Sequence, residues 1–304
     1  MSSLALLFPG QGSQFVGMGR ALFESSTAAR AVFEEADEVL GFALSRLCFE
    51  GPEEELQSTA NTQPAILTHS IALLAELRAQ SPRRLEGAGF AAGHSLGEYS
   101  ACVAAGALTF PDAIRLVRRR GEFMQEAVPA GVGAMAAIIG LPAADVEEAC
   151  REVSGDEIVY AANYNSPEQT VIAGHAAAVE RASAACLARG AKRAIRLPVS
   201  APFHSALMRP ARERMRELLD ATEISNAEFP VVTNVDAEPA WRGDLLRDAL
   251  VRQIDSPVRW VESVRRLAAE GVDNALEIGP GNVLAGLVRR IERVIRVEAA
   301  AGPA

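Results

Sequence analysis

The sequence predicts an α/β fold in which helices cover both faces of a mainly parallel sheet, with a smaller unit inserted. Short apolar segments alternate with helical segments through most of the 304 residues, which is typical of parallel sheets. Residues 133–198 instead follow the order strand-helix-strand-strand-helix-strand. Hydrophobic residues make up 49% of the chain, which is ample for a sizeable core.

Two strands are predicted in the first 127 residues, and each ends in a turn that contains glycine. The first strand covers residues 4–8 and leads into PGQGS at 9–13. This loop lacks the third glycine of a dinucleotide-binding fingerprint and the lysine of a phosphate-binding loop. The second strand covers 88–92 and leads into GHSLG at 93–97. Helices are predicted at 17–40, 53–59, 62–79, 97–107 and 110–127.

The middle segment predicts a separate unit with its own strand order. Its strands are predicted at 133–140, 157–162, 169–173 and 192–198, its helices at 143–153 and 176–189, and a turn at 163–167. This βαββαβ order is that of a ferredoxin-like unit. The alternative is that these elements extend the main sheet.

After residue 199 the sequence returns to alternating strands and helices. Strands are predicted at 231–235, 274–278 and 294–297, helices at 243–254, 257–270 and 283–293, and a GPG turn at 279–281. We therefore expect a large subdomain from residues 1–128 and 199–297 and a small one from 129–198. Residues 298–304 are expected to form a C-terminal tail, in which residues 299–304 are disordered.

Charge and cysteine content exclude several classes of function. A net charge of −9 and a pI near 5.2 argue against a nucleic-acid-binding protein. The four cysteines lie far apart without metal-ligand spacing, so we expect reduced thiols in a cytoplasmic protein and no metal. We expect no signal peptide and no membrane span, because no apolar stretch is long enough.

The sequence GHSLG at 93–97 is the most informative motif of the chain. A Gly-x-Ser-x-Gly turn between a strand and a helix is typical of a nucleophile elbow, which presents the serine hydroxyl. Ser95 is therefore the candidate nucleophile of an acyl-transfer reaction. The alternative is a serine that only caps the following helix.

A serine nucleophile requires a base, and the chain has four histidines. His204 lies in an irregular segment where the chain re-enters the large subdomain, and cleft residues often occupy such loops. The alternative is a histidine bound to local backbone. In α/β-hydrolases the histidine lies near the C-terminus after an acid, whereas His204 is in mid-chain. This order favours a Ser–His pair that is oriented by something other than a buried carboxylate.

Arg120 interrupts the apolar face of the predicted helix at 110–127. A buried guanidinium there needs an anionic partner. Helix geometry alone slightly favours an internal Asp or Glu over a substrate carboxylate held bidentately.

The loop at 9–13 and the elbow could together form an oxyanion hole. The loop would supply the main-chain N–H of Gln11, and the residue after the nucleophile would supply that of Leu96. The alternative for the loop is an ordinary glycine turn.

Seven short motifs resemble, as an ordered set, the malonyl-CoA:acyl-carrier-protein transacylases. This family includes stand-alone enzymes of fatty-acid synthesis and acyltransferase units of polyketide synthases. The motifs are FPGQGS at 8–13, TQPA at 62–65, GHSLGE at 93–98, RG at 120–121, NYNSP at 163–167, FH at 203–204 and GPG at 279–281. The match extends from about residue 4 to about residue 297.

The resemblance implies a hydrolase-like α/β core with a ferredoxin-like insertion, and a ping-pong reaction. Malonyl-CoA would acylate Ser95, and the phosphopantetheine thiol of an acyl carrier protein would accept the malonyl group. His204 would act as general base and then acid, and Gln253 would help to orient it. Gln11 and Leu96 would form the oxyanion hole.

The resemblance also implies the substrate contacts. Arg120 would pair with the malonyl carboxylate, whereas helix geometry alone favoured an internal Asp or Glu as its partner. Asn165 would also bind substrate. A bulky residue at Phe203 is associated in the family with malonyl rather than methylmalonyl units, because it crowds the α-carbon. The sequence at 202–204, PFH, mixes features of the fatty-acid and polyketide enzymes, so the pathway stays open.

The resemblance implies no permanently bound cofactor, and we expect a monomer. Basic residues at Lys192, Arg193 and Arg196 could contact an acidic carrier protein, although the simpler interpretation is a solvated charge run. Two other functions compete with acyl transfer to a carrier. An editing hydrolase should lack Arg120, and a non-catalytic docking module should have lost Ser95 or His204.

Overall fold

The computed structural model describes residues 3–199 and 201–300. Its strands are β1 (Ser3–Phe8), β2 (Ala88–Gly93), β3 (Gly133–Ile139), β4 (Val159–Ser166), β5 (Gln169–His175), β6 (Arg193–Arg196), β7 (Val231–Val232), β8 (Pro239–Ala240), β9 (Val272–Glu277) and β10 (Arg296–Ala299). Its helices are α1 (Arg20–Ser25), α2 (Thr27–Leu40), α3 (Leu44–Glu50), α4 (Glu53–Gln57), α5 (Thr59–Gln80), α6 (Gly97–Ala104), α7 (Phe110–Glu126), α8 (Ala143–Val153), α9 (Ala176–Ala188), α10 (Arg209–Asp220), α11 (Gly243–Gln253), α12 (Trp260–Ala269) and α13 (Val283–Ile291).

The main sheet has the strand order β10-β9-β1-β2-β7-β8. All neighbouring strands are parallel except the short antiparallel pair β7–β8. The central strand β1 is apolar and buried along its second half, because parallel strands are covered on both faces. Phe8 pairs with Gly93, so the turns that follow β1 and β2 lie side by side. The predicted α/β fold is confirmed.

The second sheet is antiparallel and has the order β4-β5-β3-β6. With α8 and α9 between its strands, it has the predicted ferredoxin-like βαββαβ arrangement. These elements therefore do not extend the main sheet. One face of this sheet packs on α8 and α9 through small apolar residues that include Ala149 and Ala182.

A short backbone connection joins the second sheet to the segment before α12. Asn163 forms a parallel bridge with Val258. The N–H of Tyr164 donates to the carbonyl of Val258 at 2.9 Å, and the N–H of Val258 donates to the carbonyl of Ala162 at 2.8 Å. This connection brings the end of β4 to the carboxyl edge of the main sheet.

The prediction of a turn at 163–167 is wrong for most of that segment, which is a strand. β4 continues to Ser166, with register shifts near its end, and pairs with β5. Pairing with a neighbouring strand and with Val258 stabilises an extended backbone there despite the turn-forming residues.

Other boundaries also differ from the prediction. β7 ends at Val232 instead of 235, and α12 begins at Trp260 instead of 257.

The prediction of a disordered tail is wrong at its start. Glu298 and Ala299 belong to β10, and the N–H of Ala300 donates to the carbonyl of Glu277 at 2.8 Å. Parallel pairing with β9 orders these residues. Residues 301–304 lie outside the described residues.

Within residues 3–199 and 201–300, no helix has the length and hydropathy needed to cross a bilayer.

Candidate active site

Ser95 occupies the sharp turn between β2 and α6. Its φ of +52° lies in the left-handed region, where a non-glycine residue is strained. Asn234 holds the turn from both sides: its Oδ1 accepts the Ser95 N–H at 2.7 Å, and its Nδ2 donates to the Gly93 carbonyl at 2.7 Å. The strained conformation is therefore stabilised by a side chain from the neighbouring β7 segment.

Two glycines allow the elbow to pack directly against the loop that follows β1. A Cβ on Gly97 would lie 2.0 Å from the Phe8 carbonyl oxygen, and one on Gly10 would lie 2.3 Å from that of His94. Both distances are far below van der Waals contact, so only glycine fits at these positions. The loop and the elbow consequently meet backbone to backbone.

His204 is in hydrogen-bonding contact with Ser95, the candidate nucleophile. Its Nε2 lies 2.7 Å from Ser95 Oγ, and its Nδ1 lies 2.9 Å from the main-chain carbonyl oxygen of Gln253. A carbonyl can only accept, so Nδ1 carries the proton and Nε2 is free to accept one from Ser95. The orienting group is thus a carbonyl 49 residues away, in place of local backbone.

The surroundings of His204 keep its imidazole neutral. Burial, reinforced by the positive charge of Arg120, lowers the pKa of His204 to about 3. At neutral pH the ring is therefore a base. His204 also has a left-handed backbone, with a φ of +58°.

Gln253, the last residue of α11, uses both its side chain and its main chain in the site. Its Nε2 donates to the carbonyl of Ser95 at 2.9 Å, and its Oε1 accepts from Arg120 Nη2 at 2.9 Å. Because its main-chain carbonyl binds His204, Gln253 connects Ser95, His204 and Arg120.

Arg120 is 1% exposed and points at the nucleophile. Its Nη2 donates to Ser95 Oγ at 3.1 Å, and its Nη1 donates to Gln63 Oε1 at 2.7 Å. Burial lowers the pKa of Arg120, although arginine stays protonated in proteins. In the described part of the chain the guanidinium forms no ion pair and its Nε has no acceptor. The internal salt bridge that helix geometry favoured is absent there.

Gln11 and Leu96 lie on the two adjoining turns. Neither main-chain N–H has an acceptor among residues 3–199 and 201–300. The side chain of Gln11 is turned away to Thr59, where Nε2 lies 3.3 Å from Oγ1. Two free donors beside a nucleophile are what an oxyanion hole requires.

Asn165 and Phe203 occupy different surroundings. Asn165 Oδ1 accepts from His94 Nε2 at 2.8 Å, which links the end of β4 to the elbow. Phe203 is 8% exposed and packs in the main hydrophobic core, directly before His204. The remaining histidines lie elsewhere: His69 is buried in α5, and His175 Nδ1 accepts from the Ile158 N–H at 3.0 Å.

Three buried polar residues of the site had no role in the sequence analysis: Gln63, Glu98 and Asn234. Gln63 and Glu98 belong to the motifs TQPA and GHSLGE, which was the available signal. Asn234 follows β7 at the carboxyl edge of the parallel sheet, where ligand-binding residues usually lie.

The comparisons with known proteins agree on one family. The model of the acyl transferase domain matches residues 5–301. The malonyl CoA-acyl carrier protein transacylase of Bacillus subtilis is 51% identical over 304 residues, covering all of this chain and 95% of the relative. That of Escherichia coli K12 is 51% identical over 291 residues, covering 96% of this chain and 93% of the relative.

Solved structures give the same result. A malonyl-transacylase in complex with a type II PKS acyl-carrier protein superposes with a TM-score of 0.95 at 48% identity, covering 98% of this chain and 96% of that one. An acyl carrier protein S-malonyltransferase from Vibrio cholerae has a TM-score of 0.93 at 47% identity, covering 98% of this chain and 96% of that one.

Proposed function

Since this chain belongs to the acyl transferase domain family, we propose that its Ser95–His204 pair performs the reaction named in its relatives. The chain transfers a malonyl group from malonyl-CoA to the phosphopantetheine thiol of an acyl carrier protein, for fatty-acid or polyketide chain extension. The observation that carries this function is the contact between a buried cation and the nucleophile: Arg120 Nη2 lies 3.1 Å from Ser95 Oγ.

In the first half-reaction, Ser95 Oγ attacks the thioester carbonyl while its proton passes to His204 Nε2. The distance of 2.7 Å is suited to direct transfer. The N–H groups of Gln11 and Leu96 stabilise the oxyanion. The C–S bond then breaks, CoA leaves with the proton from His204, and the malonyl ester of Ser95 remains.

In the second half-reaction the carrier's thiol takes the place of CoA. Its proton passes to His204, its sulfur attacks the ester, and Ser95 leaves with that proton. The neutral imidazole is restored at the end of each half-reaction. The same base therefore serves both transfers, with Gln253 holding its Nδ1 proton throughout.

Arg120 supplies selectivity for a dicarboxylic acyl group. Its Nε has no acceptor among the described residues, and its bound partners are neutral. A malonyl carboxylate would give the buried guanidinium an anionic partner in direct hydrogen-bonding contact. An editing hydrolase acting on neutral acyl chains gains nothing from this cation.

An intact-mass experiment tests the function. The protein is mixed with malonyl-CoA, and holo carrier protein is added afterwards. A malonyl adduct on Ser95 that then appears on the carrier is the expected result. An adduct that decays to free malonate without loading the carrier, or no adduct at all, contradicts it.

The wider setting belongs to the same proposal. We expect a cytoplasmic protein, which agrees with four buried free cysteines in the described residues, and we expect it to be a monomer. We also assign residues 129–198 to the small subdomain and residues 1–128 and 199–297 to the large one. Asn165 would then bind substrate from the small subdomain, and Phe203 would restrict the acyl α-carbon.

A further inference from the structure

A buried carboxylate that the mechanism does not use lies behind the nucleophile. Glu98 is the second residue of α6 and is fully buried. Its Oε2 accepts from the Asn234 N–H at 2.8 Å and from Gln253 Nε2 at 3.0 Å. Its Oε1 has no partner among the described residues. One oxygen therefore connects two segments that are distant from Glu98 in sequence.

The contact with Gln253 extends to the base. Glu98 and the carbonyl of Ser95 share the Gln253 side-chain amide, and the Gln253 main-chain carbonyl receives the Nδ1 proton of His204. A glutamine whose amide is clamped at the end of α11 has little freedom to shift its own carbonyl. The position of His204 consequently depends on Glu98 through one intermediate residue.

The second contact connects Glu98 to the nucleophile. Asn234 donates its main-chain N–H to Glu98, and its side chain holds the main chain at Ser95 and Gly93. Glu98 therefore supports both members of the Ser–His pair.

The charge of Glu98 acts on Arg120, whereas the hydrogen bonds of Glu98 to Asn234 and Gln253 do not require it. Glu98 is the carboxylate whose field raises the pKa of Arg120 against the effect of burial. Burial in turn raises the pKa of Glu98 to about 7. Protonation at the unpartnered Oε1 would leave Oε2 able to accept both N–H groups, so the clamp does not depend on the charge state.

A buried glutamate elsewhere shows what a structural role looks like. Among the residues that the structure describes, Glu277 accepts from main-chain N–H groups at the start of α13: Leu284 at 2.9 Å on one oxygen and Ala285 at 2.7 Å on the other. Glu98 instead leaves one oxygen free and binds a side chain of the site.

We propose that Glu98 is a positioning residue for His204, acting through the Gln253 amide. In a Ser-His-Asp triad the acid contacts the histidine directly. Here Glu98 would have the same orienting role, but through Gln253. The inference deepens the proposed function and rests on it for its kinetic test, but its spectroscopic test does not.

Two substitutions at position 98 distinguish the loss of the hydrogen-bond acceptor from a change in side-chain volume. Glu98→Gln keeps an oxygen that can accept both N–H groups, whereas Glu98→Leu fills the same space without an acceptor. Glu277→Gln is the matched control for altering a buried carboxylate. Steady-state kinetics of malonyl transfer give kcat per active site and KM for malonyl-CoA, and ¹⁵N–¹H spectra give the His204 Nδ1–H signal.

We expect Glu98→Leu to lower kcat about 10- to 100-fold per active site, with KM changed less than about twofold. Its His204 Nδ1–H signal should shift or be lost through exchange with water. Glu98→Gln should keep the signal and stay within about fivefold of the wild-type kcat. Glu277→Gln should change neither quantity.

An unchanged His204 signal and rate in Glu98→Leu would overturn the proposal, and so would a loss confined to KM. If the Leu variant does not fold, Glu98→Asp replaces it, because the shorter side chain draws the oxygen away from Gln253. Wild-type behaviour of Glu98→Asp would overturn the proposal equally. If the wild-type protein forms no malonyl adduct, the proposed function fails, while the spectra still test the positioning role.

Discussion

The side chains of Arg120 and Gln253 are hydrogen-bonded to each other beside Ser95 and His204. Arg120 Nη2 donates to Gln253 Oε1 at 2.9 Å and to Ser95 Oγ at 3.1 Å. The carbonyl of the same glutamine fixes the tautomer of His204. In the proposed reaction, a change at the guanidinium would therefore alter the surroundings of His204 as well as the binding of the acyl group.

Arg120→Ala should remove the preference for malonyl-CoA over acetyl-CoA. Loss of a buried, charge-assisted pair predicts a fall of about 100-fold in kcat/KM for malonyl-CoA, and a much smaller fall for acetyl-CoA. The neighbouring Arg119, which is exposed and paired with Glu122, provides the control variant Arg119→Ala. Equal losses for both thioesters would exclude a carboxylate-binding role.

Ser95→Ala should abolish the covalent adduct, because it removes the Oγ that lies 2.7 Å from His204 Nε2 and would carry the acyl group. Intact mass after incubation with malonyl-CoA measures the adduct. Ser25→Ala, a change at an exposed serine of α1, is the control. Continued malonyl transfer by Ser95→Ala would show that the nucleophile is a different residue.

His204→Ala should slow acylation at pH 7 by a factor of about 100 to 10,000, the usual contribution of a positioned general base. Single-turnover acylation with malonyl-CoA measures the rate. His175→Ala removes a histidine on the second sheet and should leave the rate near that of the wild type. A wild-type rate in His204→Ala would exclude it as the base.

The acylation rate should stay high well below the ordinary pKa of histidine. His204 acts as a base only when it is unprotonated, and its lowered pKa, about 3, keeps it so as the pH falls through 6.5. We expect kcat/KM to change less than about twofold between pH 8 and 5.5, whereas a histidine with an unperturbed pKa would give about a tenfold loss. A tenfold loss over this range would contradict the lowered pKa.

The sequence was most informative where structure is local. The elbow at Ser95, the central strands and the βαββαβ order follow from residue patterns within short windows. α10 was missed because most of its residues are polar or charged. Its buried residues, Ala211, Met215 and Leu219, nevertheless recur at helical spacing.

The rest of the site depends on contacts between distant segments. The bond from His204 Nδ1 goes to a main-chain carbonyl, and no residue type encodes that acceptor. Asn234 reaches the elbow only because β7 pairs with β2. The length of β4 is likewise set by its partner strand and by Val258. Such features become visible only when the chain is folded.

The direct contacts of Gly10 with His94 and of Gly97 with Phe8 have a consequence for how the barrier to reaction arises. The two turns pack backbone to backbone, so in the proposed reaction the donors at Gln11 and Leu96 already have their orientation when an acyl group arrives. Little reorganisation energy would then accompany the formation of the proposed oxyanion. A methyl group at either glycine would wedge the turns apart and leave both donors chemically intact but aimed at different points.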